Sequence, residues 1–526
     1  MPDENSSPEV IGHFEIHITV AAPDVDRLAL FADTHGLKYT HVVLDGGRTP
    51  SQPMLTLTGN GFLDGQRRTA EQWAARLRHA GLYVVRTKIE AAPWCSGVPA
   101  TDEEAAAQPP GRYFEHHVKL LLPPGVTPLV AATELAERHD ARLSRNARRI
   151  REDGHRERFV TQRCYGVGRA AARARLDALV AAFTADGHDI AAVEEEYVVF
   201  DDRIGLDAEW LESSRAREAE RRKERKAPLP GGTGLPATYR PLPPRPGVWQ
   251  PAVFDPALKQ YEDAYRAGEP VFADPAEGGR WRAARRGAMR HLLAVVADTH
   301  WAKHLVLRGS VTMPAWCGDA AREPGDVDFV VIPPSMAVHS ADADAILAGI
   351  VEALRERPGA GLDAGRVESS DIWTYERADG RRLLVPFATD DGQVGSVQAD
   401  FVFGEQLPIA PTPIRLDGID RPLSAAGPAL SLAWKLMWLA TDLYPQGKDL
   451  YDAVLLAERT IVERQLVRDL LRPEHGAEAD DFTAESVLAW DVDWAEFVGG
   501  YPAIPGTAAH WRRRLALALD RMPGWR

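Results

Sequence analysis

The chain has 526 residues, 45% hydrophobic and 26% charged, with 62 Lys and Arg against 76 Asp and Glu for a formal net charge of −14. That length exceeds what one hydrophobic core organises, so two to four domains are expected, with the composition of an ordinary globular protein. No run of eighteen or more apolar residues is present, which excludes a bilayer-spanning helix, and the acidic balance argues against a protein that coats nucleic acid indiscriminately.

The first residues, MPDENSSPEVIG, lack a basic region followed by an apolar one, so 1–12 read as a flexible tail and not as a secretion signal. Cys95, Cys164 and Cys317 lie far apart with no metal-ligand spacing, as expected in a reducing cytoplasm.

A diverged tandem repeat then occupies 13–95 and 113–205, opening with HFEIHITV at 13–20 and YFEHHVKL at 113–120. Each opening strand leads to a helix signal: Asp24 in the first repeat, and Thr127-Pro128, read as an N-cap followed by a first-turn proline, in the second. Polar, hairpin-forming regions follow at 37–62 and 141–166, then helices at 69–80 and 168–186, then closing strands at 82–90 and 191–200. The order βαββαβ is the ferredoxin-like plan, so the expected fold class is α+β with tandem ferredoxin-like repeats at the N-terminal end.

Glu15 and His17 align with Glu115 and His117, and along a strand they alternate with Phe14, Ile16 and Ile18. Pairing of last strand with first brings Arg86, Lys88 and Glu90 near Glu15 and His17, with Glu194 and Glu196 in the corresponding place of the second repeat. Two readings stand: a ligand or RNA contact on an open sheet face, or an ion-paired solvated face or polar interface between repeats. Charged cross-strand pairs are common on solvated sheets, which favours the second. Residues 137–163 hold nine arginines. The hairpin 141–163 therefore offers either plain solubility or a contact to an RNA backbone.

Residues 213–226 carry seven Lys or Arg against three Glu and read as a solvated charged helix, and 227–252 is a Pro- and Gly-rich extended linker, giving a connecting region 206–252. From 253 to 526 the expectation is a second α/β domain with added helices.

In that half a β run, HLVLRGSVTM at 304–313, ends on Gly309-Ser310, where glycine lets a ligand approach the main chain and leaves N–H groups and a hydroxyl for phosphate oxygens. In EPGDVDFVVIPP, Asp326 and Asp328 fall on one face of a strand while Val327 and Phe329 go to the core. Two such carboxylates repel unless a cation lies between them, and hard oxygen ligands suit Mg²⁺ bound with substrate phosphates. Asp400, in GSVQADFVFGE, interrupts another apolar strand and would complete a two-metal phosphoryl-transfer site. Alone, a Gly-Ser turn or an Asp-x-Asp pair is more often a plain surface or capping feature. The ordered set is more specific and resembles the DNA polymerase β nucleotidyltransferase superfamily.

The stretch LRGSVTM…REPGDVDFVV is similar to the AbiEii/AbiGii toxin family of nucleotidyltransferases. LSLAWKLMWLATDLYPQGKDLYDAVLLAE at 430–458 resembles that family's later motifs, a helix carrying one lysine and then Lys-Asp-x-x-Asp, here Lys435, Lys448, Asp449 and Asp452. The resemblance covers about residues 255–526. It implies a nucleotidyltransferase-fold core that moves a nucleotidyl group from a nucleoside triphosphate to an acceptor hydroxyl with Mg²⁺ (or Mn²⁺), releasing pyrophosphate. Gly309 and Ser310 would hold phosphates. Asp326, Asp328 and Asp400 would hold metal, Asp400 also taking the hydroxyl proton. Lys435 would offset triphosphate charge, and Lys448 and Asp452 would line the nucleotide site. Asp449, early in its helix, reads as a capping residue.

The family includes toxins of toxin–antitoxin and phage-defence systems. The resemblance therefore implies an antitoxin or partner protein, and RNA or tRNA as an acceptor, with the hairpin 141–163 as its contact. A small molecule or protein acceptor is the alternative within enzymes. A nucleotide-sensing scaffold, whose N-terminal repeats bind the ligand through Glu15, His17, Lys88, Glu90, Glu115 and His117, is the alternative outside them. Two departures from the family pattern stand out. Fifteen residues separate Ser310 from Asp326 and include Pro314, Trp316 and Cys317, which predicts a short or distorted helix there, and Pro324-Gly325 replaces the polar residues often found before the pair.

Overall fold

A computed structural model describes residues 9–45, 49–146, 154–207, 210, 242, 244–254, 265–372, 379–442 and 444–525. The chain forms two compact units, residues 1–217 and 218–526. The expected charged helix at 213–226, most of the linker at 227–252 and the hairpin tip at 147–153 lie outside the described residues. Among the described residues no helix is long and apolar enough to cross a membrane.

In the first unit, β1 (Ile11–Val20), α1 (Val25–His35), β2 (Lys38–Leu44), β3 (Ser51–Phe62), α2 (Leu63–His79) and β4 (Val84–Ala91) precede a short helix α3 (Asp102–Ala106). A matching succession follows: β5 (Tyr113–Leu122), α4 (Val126–Arg138), β6 (Ala141–Asn146), β7 (Arg156–Tyr165), α5 (Arg169–Ala185) and β8 (Asp189–Asp201). The eight strands close one barrel in the order β1-β3-β2-β6-β7-β5-β8-β4. β2 pairs with β6 (Val42 opposite Asn146) and β4 with β8 (Glu90 opposite Val198), so the edges of the two halves satisfy each other. Alternation along β1 sends Phe14, Ile16 and Ile18 into a core with Leu28, Ala70 and Leu77 of the covering helices. The opposite face of β1 lines the barrel interior.

Four local expectations are corrected. Asp24 stands at the start of α1 without capping it; its carboxylate takes Arg27 at 2.8 Å and the Tyr83 N–H at 2.9 Å instead. Thr127 lies inside α4, which is preceded by Gly125; Pro128 is tolerated because N–H groups of a first turn have no intrahelical partner. The tail expected to reach residue 12 ends earlier, since Val10 is fully buried and β1 begins at Ile11. Leu206, Asp207 and Trp210 belong to the first unit and not to a linker: Asp207 is buried against Arg86, and Trp210 is buried with its Nε1–H donating to Asp45 at 2.6 Å.

The second unit begins with two small two-stranded sheets, β9 (Val248–Trp249) with β12 (Val271–Phe272) and β10 (Ala252–Phe254) with β11 (Tyr265–Ala267), so the end of the expected linker is paired structure. Helix α6 (Pro275–Asp298) follows, with Asp274 capping it onto the Ala276 N–H at 2.9 Å. Its main sheet runs in the order β15 (Glu368–Asp371), β16 (Gly380–Ala388), β17 (Val394–Val402), β14 (Val327–Val331), β13 (Leu305–Arg308), β19 (Leu423–Ala425), β18 (Thr412–Ile414). α6 and α8 (Ala341–Glu356) bury Leu292, Val296, Ile346 and Ile350 with Leu307, Phe329 and Phe401 of the strands. α9 (Pro428–Thr441) packs Leu430 and Trp434 with Val306 and Val330 in a second cluster. The short helix expected after the Gly-Ser turn is five residues long, α7 (Met313–Cys317).

Candidate active site

Strand register assembles the centre. Arg382 of β16 is opposite Asp400 of β17, Asp400 is opposite Asp328 of β14, and Asp328 is opposite Arg308 of β13. One row across four strands therefore reads Arg–Asp–Asp–Arg. Asp326, just before β14, is half-buried at the mouth of the row, two residues from Asp328 and so on its face.

Gly309 follows Arg308 at φ 78°, ψ −158°, and a Cβ there would meet Asp328 Oδ2 at 2.5 Å. Only glycine lets the turn and the carboxylate come this close. Thr312 closes the turn by donating from Oγ1 to the Gly309 carbonyl at 2.7 Å. Ser310 is buried, and its Oγ has no hydrogen-bond partner. Burial pushes the Asp328 carboxyl well above the usual range, and the Asp326 and Asp400 charges push it further against the pull of Arg308 and Lys448. The charged form of Asp328 is thus disfavoured until a cation comes between it and its neighbours.

The flanking arginines are fixed. Arg308 pairs with Glu405 and stacks over Trp434 and Trp438, 5.4 and 5.6 Å from the ring centres. Arg382 grips Asp400 with Nε donating to Oδ1 and Nη2 to Oδ2, both at 2.7 Å, and Gln398 Nε2 adds a donor to Oδ2 at 3.0 Å. Burial nonetheless raises the Asp400 carboxyl above its ordinary value.

The lysine-helix residues form a second, buried network with α10 (Gly447–Ala457). Lys435 Nζ donates to Asp449 at 2.6 Å and lies 3.3 Å from Asp452, while Arg322 grips Asp452 with Nε at 3.1 Å and Nη2 at 2.9 Å. Lys435 thus neither snorkels nor stands free for a triphosphate: its charge is met inside the protein. Burial lowers the affinity of the Lys435 amine for its proton, but Asp449 and Asp452 raise it by more. Asp449 is this lysine's partner as well as an early-helix residue, and the completely buried Asp452 orients Arg322 and Lys435 instead of lining an open nucleotide site. Lys448 is exposed and near enough to Asp328 to lower its carboxyl, which leaves its ammonium available to a phosphate. The segment before the Asp pair is tied down by Tyr451 Oη to the Ala320 carbonyl (2.7 Å), Tyr501 Oη to the Glu323 carbonyl (3.2 Å), and Arg285 to the Gly325 carbonyl.

The N-terminal candidates also come together, but inside the barrel. His17 bonds Thr56 through Nδ1 at 3.0 Å and Glu90 through Nε2 at 2.8 Å; His117 meets Thr161 at 3.0 Å and Glu115 at 3.3 Å. Lys88 bridges the halves, 2.5 Å from Glu90 and 2.8 Å from Glu115, and Arg163 joins Glu115 to Asp207. Glu15 stays partly open, its side chain 32% exposed beside His17, and Glu194 is exposed. In place of an open sheet face for a ligand, these residues form an ion-paired network between the two halves, the polar interface of the other reading. Arg163 and Arg158 of the basic hairpin are buried, so neither is presented to an outside backbone.

These features define the C-terminal unit as a nucleotidyltransferase, with a Gly-Ser turn facing carboxylates on adjacent strands. Residues 291–517 match the family model described as the nucleotidyl transferase AbiEii toxin of a type IV TA system. Among solved structures the chain is similar to MenT4, a nucleotidyltransferase toxin from Mycobacterium tuberculosis H37Rv. The identity is 18% over 46% of this chain and 82% of that one, with a TM-score of 0.30, a likeness too slight to fix any residue's role. No curated protein matches the chain.

Arg382, Gln398, Arg308 and Arg322 escape sequence reasoning as site residues. Arg308 adjoins the Gly-Ser turn and Arg322 lies four residues before the Asp pair, which is signal enough to nominate them; nothing local marks Arg382.

Proposed function

We propose that the C-terminal unit transfers a nucleoside monophosphate from a nucleoside triphosphate to an acceptor hydroxyl, RNA or tRNA being the acceptor that the family resemblance implies, in a toxin or defence role. The observation that carries this reading is the pair of carboxylates on adjacent strands, Asp328 opposite Asp400, set against the Gly309-Ser310 turn. Asp326 and Asp328 fit a hard divalent cation, Mg²⁺ or Mn²⁺: they share a face, their mutual repulsion asks for a cation, and two carboxylates completed by substrate phosphates is a usual Mg²⁺ arrangement. Among the described residues no group of three or more His, Cys, Asp or Glu is assembled to hold a metal, so water or substrate oxygens would fill the rest of the cation's shell. Bound there, the cation would offset the triphosphate charge and polarise the phosphorus under attack.

The turn's backbone and the unpartnered Ser310 hydroxyl would hold phosphate oxygens, and Lys448 would add a positive charge. Asp400 would receive the acceptor's proton and join the metal site. Lys435 and Asp452 would act through the buried network that seats α10. The first unit, read as two ferredoxin-like repeats closed on each other, would supply acceptor or antitoxin recognition.

The test is incubation of the full chain with each labelled triphosphate, Mg²⁺ and total cellular RNA. Label entering RNA with release of pyrophosphate is expected. Label entering protein or a small molecule would overturn the assigned acceptor, and no label anywhere would count against the assigned reaction.

A further inference from the structure

Asp400 differs from its neighbours in being already engaged. A carboxylate offers about four lone-pair positions, and Arg382 with Gln398 takes three of them, two on Oδ2 and one on Oδ1. Asp328 and Asp326, by contrast, accept no hydrogen bond from a described side chain. The grip on Asp400 is set by strand register: Arg382, Gln398 and Asp400 lie on one hairpin, β16 paired with β17, with Arg382 directly opposite Asp400. The Arg382 side chain is only 12% exposed. A forked guanidinium–carboxylate pair is among the strongest protein ion pairs, and a cation approaching Asp400 meets a charge that is already neutralised.

The geometry points to Arg382 as a positioning residue that occupies Asp400 in the place of a second cation. In the nucleotide-free enzyme the row then offers one divalent site, from Asp326 and Asp328. Asp400 opens when the guanidinium is drawn onto a phosphate of the arriving triphosphate, the other anion for which its fork is suited. Loading of the second cation is thereby tied to loading of nucleotide. This inference rests on the nucleotidyltransfer reading above.

Mn²⁺ binding to the full chain, followed by electron paramagnetic resonance, tests it without turnover. Wild type without nucleotide is expected to bind one Mn²⁺, and a second once a non-hydrolysable triphosphate is present. Arg382→Gln is expected to take the second Mn²⁺ without nucleotide, tightened about 10- to 100-fold. Arg382→Gln combined with Asp400→Asn removes both partners, leaves no unpaired buried carboxylate, and should return to one Mn²⁺. Arg382→Lys keeps the charge but not the fork, and should fall between wild type and Arg382→Gln. Two Mn²⁺ on wild type without nucleotide, or unchanged binding in both single variants, would overturn the role of Arg382 and leave the reaction untouched. No Mn²⁺ on any of these proteins, with or without nucleotide, would remove the metal site itself and this inference with it.

Discussion

At the scale of single residues, the centre depends on contacts with little slack. Gly309→Ala would set a methyl 2.5 Å from Asp328 Oδ2 at a backbone conformation disfavoured for alanine. Nucleotidyl transfer should fall by about 10²-fold, in line with the cost of an ångström-scale misplacement, while circular dichroism stays native. Asp452 is a different case, because it is completely buried between Arg322 and Lys435. Asp452→Ala leaves two cations without their shared partner and should cost about 3–5 kcal/mol of stability, read as a lowered denaturant midpoint. That the carboxylates at 326, 328 and 400 form one candidate group could be read from residue type and order, and strand register sets Asp328 opposite Asp400. Their partners were not, since Arg322 meets Asp452 across 130 positions and Arg382 meets Asp400 only through strand register.

At the scale of elements, the succession of strands and helices in the first unit could be read from hydrophobic alternation and turn residues, but the closing of the barrel could not. Closure depends on pairing β2 with β6 and β4 with β8, contacts between distant strands that no local pattern encodes. It turns the Glu15–His17 face into an interior and changes its chemistry. Burial pulls the His117 imidazole down, but its bonds to Glu115 and Glu196 raise it further, to about 10. A group whose folded pKa lies above its unfolded value of about 6.5 stabilises most fully below that value and loses the contribution as pH rises through the folded one. The barrel should therefore weaken between about pH 6.5 and 10, and His117→Gln should flatten that part of the melting profile. An unchanged profile would mean that His117 is not charged in the folded barrel.

At the scale of the whole molecule, two units with separate cores should unfold separately. Calorimetry of the full chain is expected to show two transitions, Asp452→Ala lowering one and Glu115→Ala the other. A single transition displaced by both variants would mean that the units unfold as one. The central claim is that the carboxylate row performs nucleotidyl transfer, and turnover by Asp328→Asn, with Mg²⁺ and the labelled triphosphate and acceptor that wild type uses, tests it most directly. The substitution keeps the shape of the side chain and removes its charge. Loss of rate by about 10²–10³-fold with an unchanged melting temperature is predicted; wild-type turnover by this variant would contradict the account.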